Sequence, residues 1–231
     1  MTDVTAPALR PGLPPVPRRM QSLPLDPRGY PVPWFVQWLD EHDLPSAAGV
    51  GRPEFRIMDA AKYRDAIKHD LCWCCGQRLG TYKAFLIGPM CAVNRVSSEP
   101  PNHLECAQFS AQACPFLSRP KAQRRWAGMP EGGEPGTIGG IAIKRNPGVA
   151  LVWVCKSYRL ERVDNGYLLR VGEPVNLEWY AEGRKATRAE IIASIESGLP
   201  ILQEVAKQDG PAAETALARQ VAIALELLPA A

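Results

Sequence analysis

The chain has 231 residues, of which 46% are hydrophobic and 22% are charged, a balance that is typical of folded globular proteins and sufficient for one sizeable core or two small ones. The formal net charge of +3 neither requires nor excludes a polyanionic partner. No apolar run approaches the roughly 20 residues that cross a bilayer, and the Pro-rich N-terminus lacks the apolar core of a secretory signal. We therefore expect a cytoplasmic protein with no membrane partner.

The distribution of proline and glycine divides the chain into four predicted segments. Prolines fix the backbone angle φ and remove hydrogen-bond donors, whereas clustered glycines make a flexible connection. The segments are a disordered Pro-rich arm (1–27), a zinc-binding α+β module (28–127), a Gly/Pro-rich linker (128–140) and an antiparallel meander with C-terminal helices (141–231). The predicted fold class is therefore α+β.

The first module is predicted to begin with a strand at residues 34–39, where Trp34, Val36 and Trp38 alternate with Phe35, Gln37 and Leu39 in a period of two. Residues 55–58 are its expected partner, and Asp59 can cap the helix that follows. Residues 82–87 predict another strand. Residues 90–93 predict a returning strand after a Gly-Pro turn, so that a hairpin is expected at this point.

The second module is predicted to be a small antiparallel meander. Residues 152–163 and 167–171 flank an Asn-Gly pair, which suits a hairpin turn with positive φ. In residues 175–180 the apolar side chains of Val175, Leu177 and Trp179 alternate with more polar ones, which predicts a third strand. The sequence therefore predicts three consecutive strands in one small sheet.

Two helices are predicted after the meander. Thr187 and Glu190 form a capping box at the start of the first helix, and Pro200 is expected to end or kink it. The last helix has an apolar face that should pack on the meander, although a dimer or partner surface is an alternative. That face consists of Leu217, Val221, Ala224 and Leu228.

Two short motifs predict one zinc site. Cys72 and Cys75 are three residues apart in a segment that continues with Gly76, which suits a tight knuckle that turns backbone amides toward two thiolates. His103 and Cys106 are three residues apart and share a face in the first turn of a helix. Seven cysteines at uneven spacing also favour metal ligands and core thiols over a disulfide framework. The predicted ligands are Cys72, Cys75, His103 and Cys106.

Alternatives to this ligand set remain open at the level of sequence. Asn102 can cap the helix, which would then begin at His103. Cys91 could replace His103 if the predicted returning strand faces the metal, and a chain without metal is a further alternative. Cys114 lies too far along the helix from Cys106 to share its ion, so it is predicted to be a core thiol. Cys155 lies in an apolar strand and is predicted likewise.

Four protein ligands leave no coordination position for water or substrate, so the zinc ion is predicted to be structural. A knuckle, a hairpin and a helix with two ligands in its first turn resemble the treble-clef class of zinc modules. The resemblance covers residues 71–115. It implies a zinc ion that builds the fold.

A basic segment directly after the zinc helix predicts a nucleic-acid interface. Phosphates would meet its cations, while an aromatic ring could stack on an exposed base. The alternative is a solvated basic loop, since such charges are common on protein surfaces. The candidate residues are Arg119, Lys121, Arg124, Arg125 and Trp126.

Catalysis has less support from the sequence, and we expect a protein that acts by binding. Treble-clef nucleases need a further histidine base, and neither His42 nor His69 lies in a suitable segment. The alternative hypothesis is an enzyme of unknown reaction with a site between the two modules. Its candidate polar and aromatic residues are Asn94, Arg95, Glu99, Tyr158 and Glu178.

Several longer sequence segments resemble those of an uncharacterised family of phage-encoded and bacterial proteins. These segments are LPLDPRGYPVPWFV (residues 23–36), FLIGPMCAVNR (85–95), CPFL (114–117) and WYAEGR (179–184). The resemblance spans most of the chain after the arm. It implies a phage or prophage gene product inside a bacterial cell and supplies no activity. The expected role is that of an accessory protein that binds nucleic acid, a protein partner, or a second copy through its C-terminal helix.

Overall fold

The computed structural model describes residues 7–123, 128, 145–163 and 166–229. The fold is mixed α+β, with antiparallel sheets and C-terminal helices, as predicted. The strands are β1 (Val36–Leu39), β2 (Pro45–Ser46), β3 (Arg52–Met58), β4 (Lys83–Ile87), β5 (Val96–Ser97), β6 (Ala150–Cys155), β7 (Tyr158–Val163), β8 (Gly166–Val171), β9 (Pro174–Ala181) and β10 (Arg184–Lys185). The helices are α1 (Ala60–His69), α2 (Pro89–Asn94), α3 (Leu104–Ala113), α4 (Arg188–Asp209) and α5 (Pro211–Glu226).

The strands form three antiparallel sheets, with the orders β2-β1-β3, β10-β9-β6-β4 and β5-β8-β7. In the central four-stranded sheet, β6 is buried along its whole length because both faces of the sheet are covered. Val152 and Val154 face α3, whereas Leu151 and Trp153 face a larger core beneath α2, α4 and α5. This alternation follows from the period of two in a strand.

The predicted meander is divided between two sheets, which corrects the prediction from sequence. Residues 152–163 form two strands, β6 and β7, that are interrupted at Lys156 and Ser157. β7 and β8 form the predicted hairpin, but β9 pairs with β6 instead of β8. Asn165 of the predicted turn lies outside the described residues. The apolar β6 has its two faces buried, so it is the centre of a sheet and not the edge of a meander.

The predicted returning strand at residues 90–93 is wrong, because these residues belong to α2. Gly88 is the N-cap of this helix, and Pro89 occupies its first turn, where the missing N–H costs nothing. The antiparallel partner of β4 is β6, from beyond the predicted linker. The two predicted modules therefore share one sheet. Of the linker itself, only Gly128 is among the described residues.

The N-terminal arm was predicted to be disordered, but it is ordered over residues 7–27 in the structure. Arg18–Met20 form a short 3₁₀ helix, and the side chain of Met20 is only 1% exposed. Leu13, Val16 and Leu23 pack against the same small core. Proline fixes φ without preventing apolar neighbours from being buried, and this burial is what the prediction omitted.

The two C-terminal helices pack against each other and against α2. The capping box of Thr187 and Glu190 is present as predicted. Helix α4 does not end at Pro200 but continues to Asp209. Leu217, Ala224 and Leu228 are buried in the large core. In the part of the chain that the structure describes, no helix is long and apolar enough to cross a membrane.

Candidate metal centre

The first half of the site is a tight knuckle between α1 and β4. Helix α1 ends at His69, and its C-cap Asp70 has a left-handed conformation (φ 56°) that redirects the chain toward Cys72. The Cys72 N–H donates to the Gln77 carbonyl (2.8 Å), and the Gly76 N–H donates to the Cys72 carbonyl (2.8 Å). These two bonds close the turn that places Cys72 and Cys75 on the same side.

Gly76 is required in this knuckle for two reasons. Its φ is +73°, in the left-handed region that favours glycine. The ring of Trp34 also lies directly over it, so that a Cβ at this position would be 2.7 Å from the ring. Any larger residue would therefore displace either the knuckle or the indole.

The second half of the site is the start of α3. His103 is the N-cap and the helix begins at Leu104, one residue later than predicted. Asn102 does not cap the helix. Its Oδ1 accepts a hydrogen bond from the Cys74 N–H (2.9 Å), and its backbone exchanges two hydrogen bonds with Ala84 of β4. Asn102 thereby joins the knuckle, the central sheet and α3.

The structure brings the four predicted ligands together. The ligand atoms of Cys72, Cys75, His103 and Cys106 all lie within 4.8 Å of one another, and all four residues are buried. In a tetrahedral zinc site with Zn–S bonds of about 2.3 Å, sulfur atoms are about 3.8 Å apart. The largest separation between ligand atoms in the cluster therefore exceeds the sulfur–sulfur distance of a zinc site by only about 1 Å.

The histidine ring is oriented by a backbone carbonyl. His103 Nε2 donates to the Arg78 carbonyl (3.1 Å), which leaves Nδ1 directed at Cys75 Sγ, 3.4 Å away. The His103 N–H also donates to Cys72 Sγ (3.4 Å). Such outer hydrogen bonds fix the tautomer of a ligating imidazole and stabilise thiolate charge. The arrangement therefore presents Nδ1 as the nitrogen ligand.

The cluster also favours negative charge on the sulfur of Cys75. Hydrogen bonds from Cys106 and Cys72 hold the pKa of Cys75 well below its ordinary range. Hydrogen bonds with Cys72 and Cys75 raise the pKa of His103 to about 10, while neighbouring Cys72 and Cys75 raise the pKa of Cys106. Protons are therefore favoured on His103 and Cys106 and disfavoured on Cys75. A divalent cation at this position would displace them, as is general for thiolate sites.

The other cysteines lie elsewhere, and all seven are free thiols. Cys74 points away from the ligands and contacts the Ser110 hydroxyl (3.2 Å). Cys91 lies on α2 and packs against the large core, so the ligand group contains His103 in its place. Cys114 is the half-buried C-cap of α3. Cys155 is fully buried in β6, in the core position expected of it.

Several residues that build the site were missed by the sequence analysis. Arg19 forms an ion pair with Glu105 (3.0 Å), and Met20 packs against the cluster, so the arm covers the metal centre. The sequence predicted Asn102 only as a helix N-cap. Its position immediately before a ligand, after two prolines that exclude helix, was the signal available for a structural role.

The predicted basic segment is only partly described. Arg119 and Lys121 are exposed. Asn146 Nδ2 donates to the Arg119 carbonyl (3.0 Å), which fixes the start of the segment. Arg124, Arg125 and Trp126 lie outside the described residues. The interface predicted there stays a prediction.

The polar residues of the alternative enzyme hypothesis do not converge on one site. The Arg95 guanidinium lies over the Trp153 ring, 5.3 Å from its centroid, on the large-core side of the sheet. Glu178 is paired in register with Val152 and accepts hydrogen bonds from Gln108 of α3, on the opposite side. The central sheet therefore separates two members of the proposed set.

Comparisons with known proteins add no relative. No family model matches the chain, and searches of curated proteins and of solved structures return no match. The functional interpretation therefore depends on the geometry of the site.

Proposed function

We propose that this chain is a zinc-stabilised binding protein that holds one structural Zn²⁺ ion through Cys72, Cys75, His103 and Cys106. The observation that supports the proposal is the convergence of these four buried ligand atoms within 4.8 Å. Three thiolates and an imidazole are the donor set that zinc prefers in structural sites. Four protein ligands fill the tetrahedron, so the ion stabilises the fold and activates no water.

The ion would join segments that are distant in sequence. The knuckle supplies two ligands and α3 supplies two, while Met20 of the arm packs over them. The surrounding core contains few other large apolar side chains, chiefly Leu79 and Phe109. Because so small a core contributes little burial energy, the metal would supply much of the local stability.

The finer assignments belong to the same proposal. The knuckle and a helix with a ligand in its first turn support a treble-clef-like module. Strand β4, however, pairs with the distant strand β6 and does not form a local hairpin. Free thiols as ligands support a reducing compartment such as the cytoplasm. The phage or prophage context depends on the sequence resemblance alone. Four protein ligands leave no open position for catalysis at the metal, and the proposal therefore assigns the chain an accessory role in binding nucleic acid or a protein.

Metal analysis of single-cysteine variants tests the proposal. We expect one zinc ion per chain in the natural protein and in Cys91→Ser, and loss of the ion in Cys72→Ser and Cys106→Ser. Cys91→Ser is the matched control because Cys91 is a half-buried thiol outside the cluster. A natural protein that purifies and refolds without zinc, or a Cys72→Ser variant that retains it, would contradict the assignment. Loss of zinc in Cys91→Ser would instead support the alternative ligand set, in which Cys91 replaces His103.

A further inference from the structure

An exposed strip of chain leaves the metal centre and ends at an aromatic ring. Residues 77–82 connect the knuckle to β4, and within them only Leu79 is buried. Tyr82 is 55% exposed, a large fraction for an aromatic side chain. We call residues 77–82, together with Arg19 and Lys156, the knuckle ribbon.

Cations lie at both ends and in the middle of the knuckle ribbon. Arg19 Nη1 donates to Gln77 Oε1 (3.0 Å) at one end, and Lys156 Nζ lies 6.0 Å from the centroid of the Tyr82 ring at the other. Arg78 is exposed between them. Among the described residues, neither Arg78 nor Lys156 has a carboxylate partner. The Arg19–Glu105 pair is itself half-exposed and therefore weak, so a phosphate could compete for Arg19.

The backbone of the knuckle ribbon is held in place by the metal centre. The Leu79 N–H donates to the Asp70 carbonyl (2.8 Å), and the Arg78 carbonyl accepts from His103 (3.1 Å). The ribbon is therefore held before any ligand arrives, which reduces the entropy lost on binding. The side chains of Arg78 and Tyr82 remain exposed, because this anchoring uses only main-chain groups of the ribbon.

We propose that the knuckle ribbon binds a single-stranded nucleic acid, with phosphates at Arg19, Arg78 and Lys156 and a base stacked on Tyr82. Cations that follow an exposed chain next to an aromatic ring are the features with which proteins bind single strands without reading sequence. An acidic peptide would use the cations but would leave Tyr82 without a role. The inference rests on the proposed function, since the zinc ion would fix the ribbon.

Fluorescence anisotropy with a labelled oligothymidylate of about 20 nucleotides tests this, because that length exceeds a typical single-strand site. We expect Tyr82→Ala to weaken binding about 5- to 150-fold, the range for loss of one stacked base. Tyr82→Phe should bind like the natural protein. The double variant Arg78→Ala/Lys156→Ala should reduce the slope of log affinity against log salt by about 1.4, or about 0.7 for each lost phosphate contact.

The β7–β8 hairpin provides matched controls. Arg162 and Tyr167 face each other across this hairpin, and both are exposed. Arg162→Ala and Tyr167→Ala should therefore leave affinity unchanged. Equal weakening by these controls, or unchanged affinity in the Tyr82→Ala and double variants, would overturn the proposal. Duplex DNA bound as tightly as the single strand, with no effect of Tyr82→Ala, would overturn it as well.

Zinc content, measured on every sample, separates this inference from the proposed function. Zinc-loaded natural protein that fails to bind the oligonucleotide overturns the inference and leaves the structural metal site intact. Natural protein that lacks zinc refutes the proposed function. Variants that retain one zinc ion per chain and lose binding support both.

Discussion

The metal centre and the large core of the central sheet are stabilised by different means. The large core contains nineteen buried residues among those described, including Phe85, Trp153 and Trp179. The core around the metal centre contains eight, of which four are cysteines. Apolar burial can therefore stabilise the first region, whereas the second has few apolar side chains and would depend on the proposed zinc ion. If the proposed zinc ion is bound, burial and metal binding act as alternative sources of stability within a single chain.

Metal removal should produce the largest difference in stability between the two regions. We expect chelation to expose the backbone amides of residues 72–79 and 103–106, while those of β6 and α4 stay protected. Apparent zinc affinities of structural sites amount to about 10–16 kcal/mol, more than a small core can replace. Hydrogen exchange read by mass spectrometry before and after chelation measures the difference. A uniform loss of protection along the chain would show that the two regions unfold together.

A pair of aromatic substitutions tests the same contrast from the other side. Trp153→Ala removes a fully buried ring from the large core and should lower the free energy of unfolding by about 3–5 kcal/mol. It should not change the rate at which zinc passes to a chelator. Phe109→Ala, in the core of the metal centre, should accelerate that transfer. Urea unfolding and a colorimetric chelator measure the two quantities, and identical behaviour of both variants would refute the division.

The sequence predicted the convergence of the four candidate ligands better than it predicted the fold around them. A pair of cysteines three residues apart with a glycine directly after it, and a His–Cys pair with the same spacing at a helix start, are local patterns, and the chain brings them together as expected. The pairing of β4 with β6 is different, because sixty-two residues separate Ile87 from Ala150 and no local pattern specifies the partner of a strand. The apolar residues 90–93 fit either a strand or a helix, and Pro89 favours the helix because proline suits the first helical turn.

Burial of the arm was missed for a related reason. Composition predicted an extended segment, yet Met20 needs only one apolar contact surface to become buried, and that surface is formed by Cys72, Leu79 and Phe109 from three later segments. Tertiary contacts of this kind are set by the assembled structure. They override the local preference of a Pro-rich segment.

The smallest predicted effect concerns Glu178, at the junction of the two regions. Burial acts to raise the pKa of Glu178, but hydrogen bonds from Lys185, Gln108 and Tyr180 outweigh it and hold this pKa at about 2, below the ordinary 4.5. Since Gln108 belongs to α3 and Glu178 to β9, the charged carboxylate joins the helix of the metal centre to the central sheet.

A carboxyl group whose pKa is lowered by folding stabilises the fold above its unfolded pKa, and this contribution is lost as the pH falls toward the folded pKa. The natural protein should therefore lose stability from Glu178 between pH 4.5 and about 2. We expect Glu178→Gln to lack this component and to be less stable at neutral pH by on the order of 1 kcal/mol, since Lys185 is largely exposed. Urea unfolding at several pH values measures it. Glu196→Gln, on the exposed face of α4, is the control and should follow the natural protein throughout.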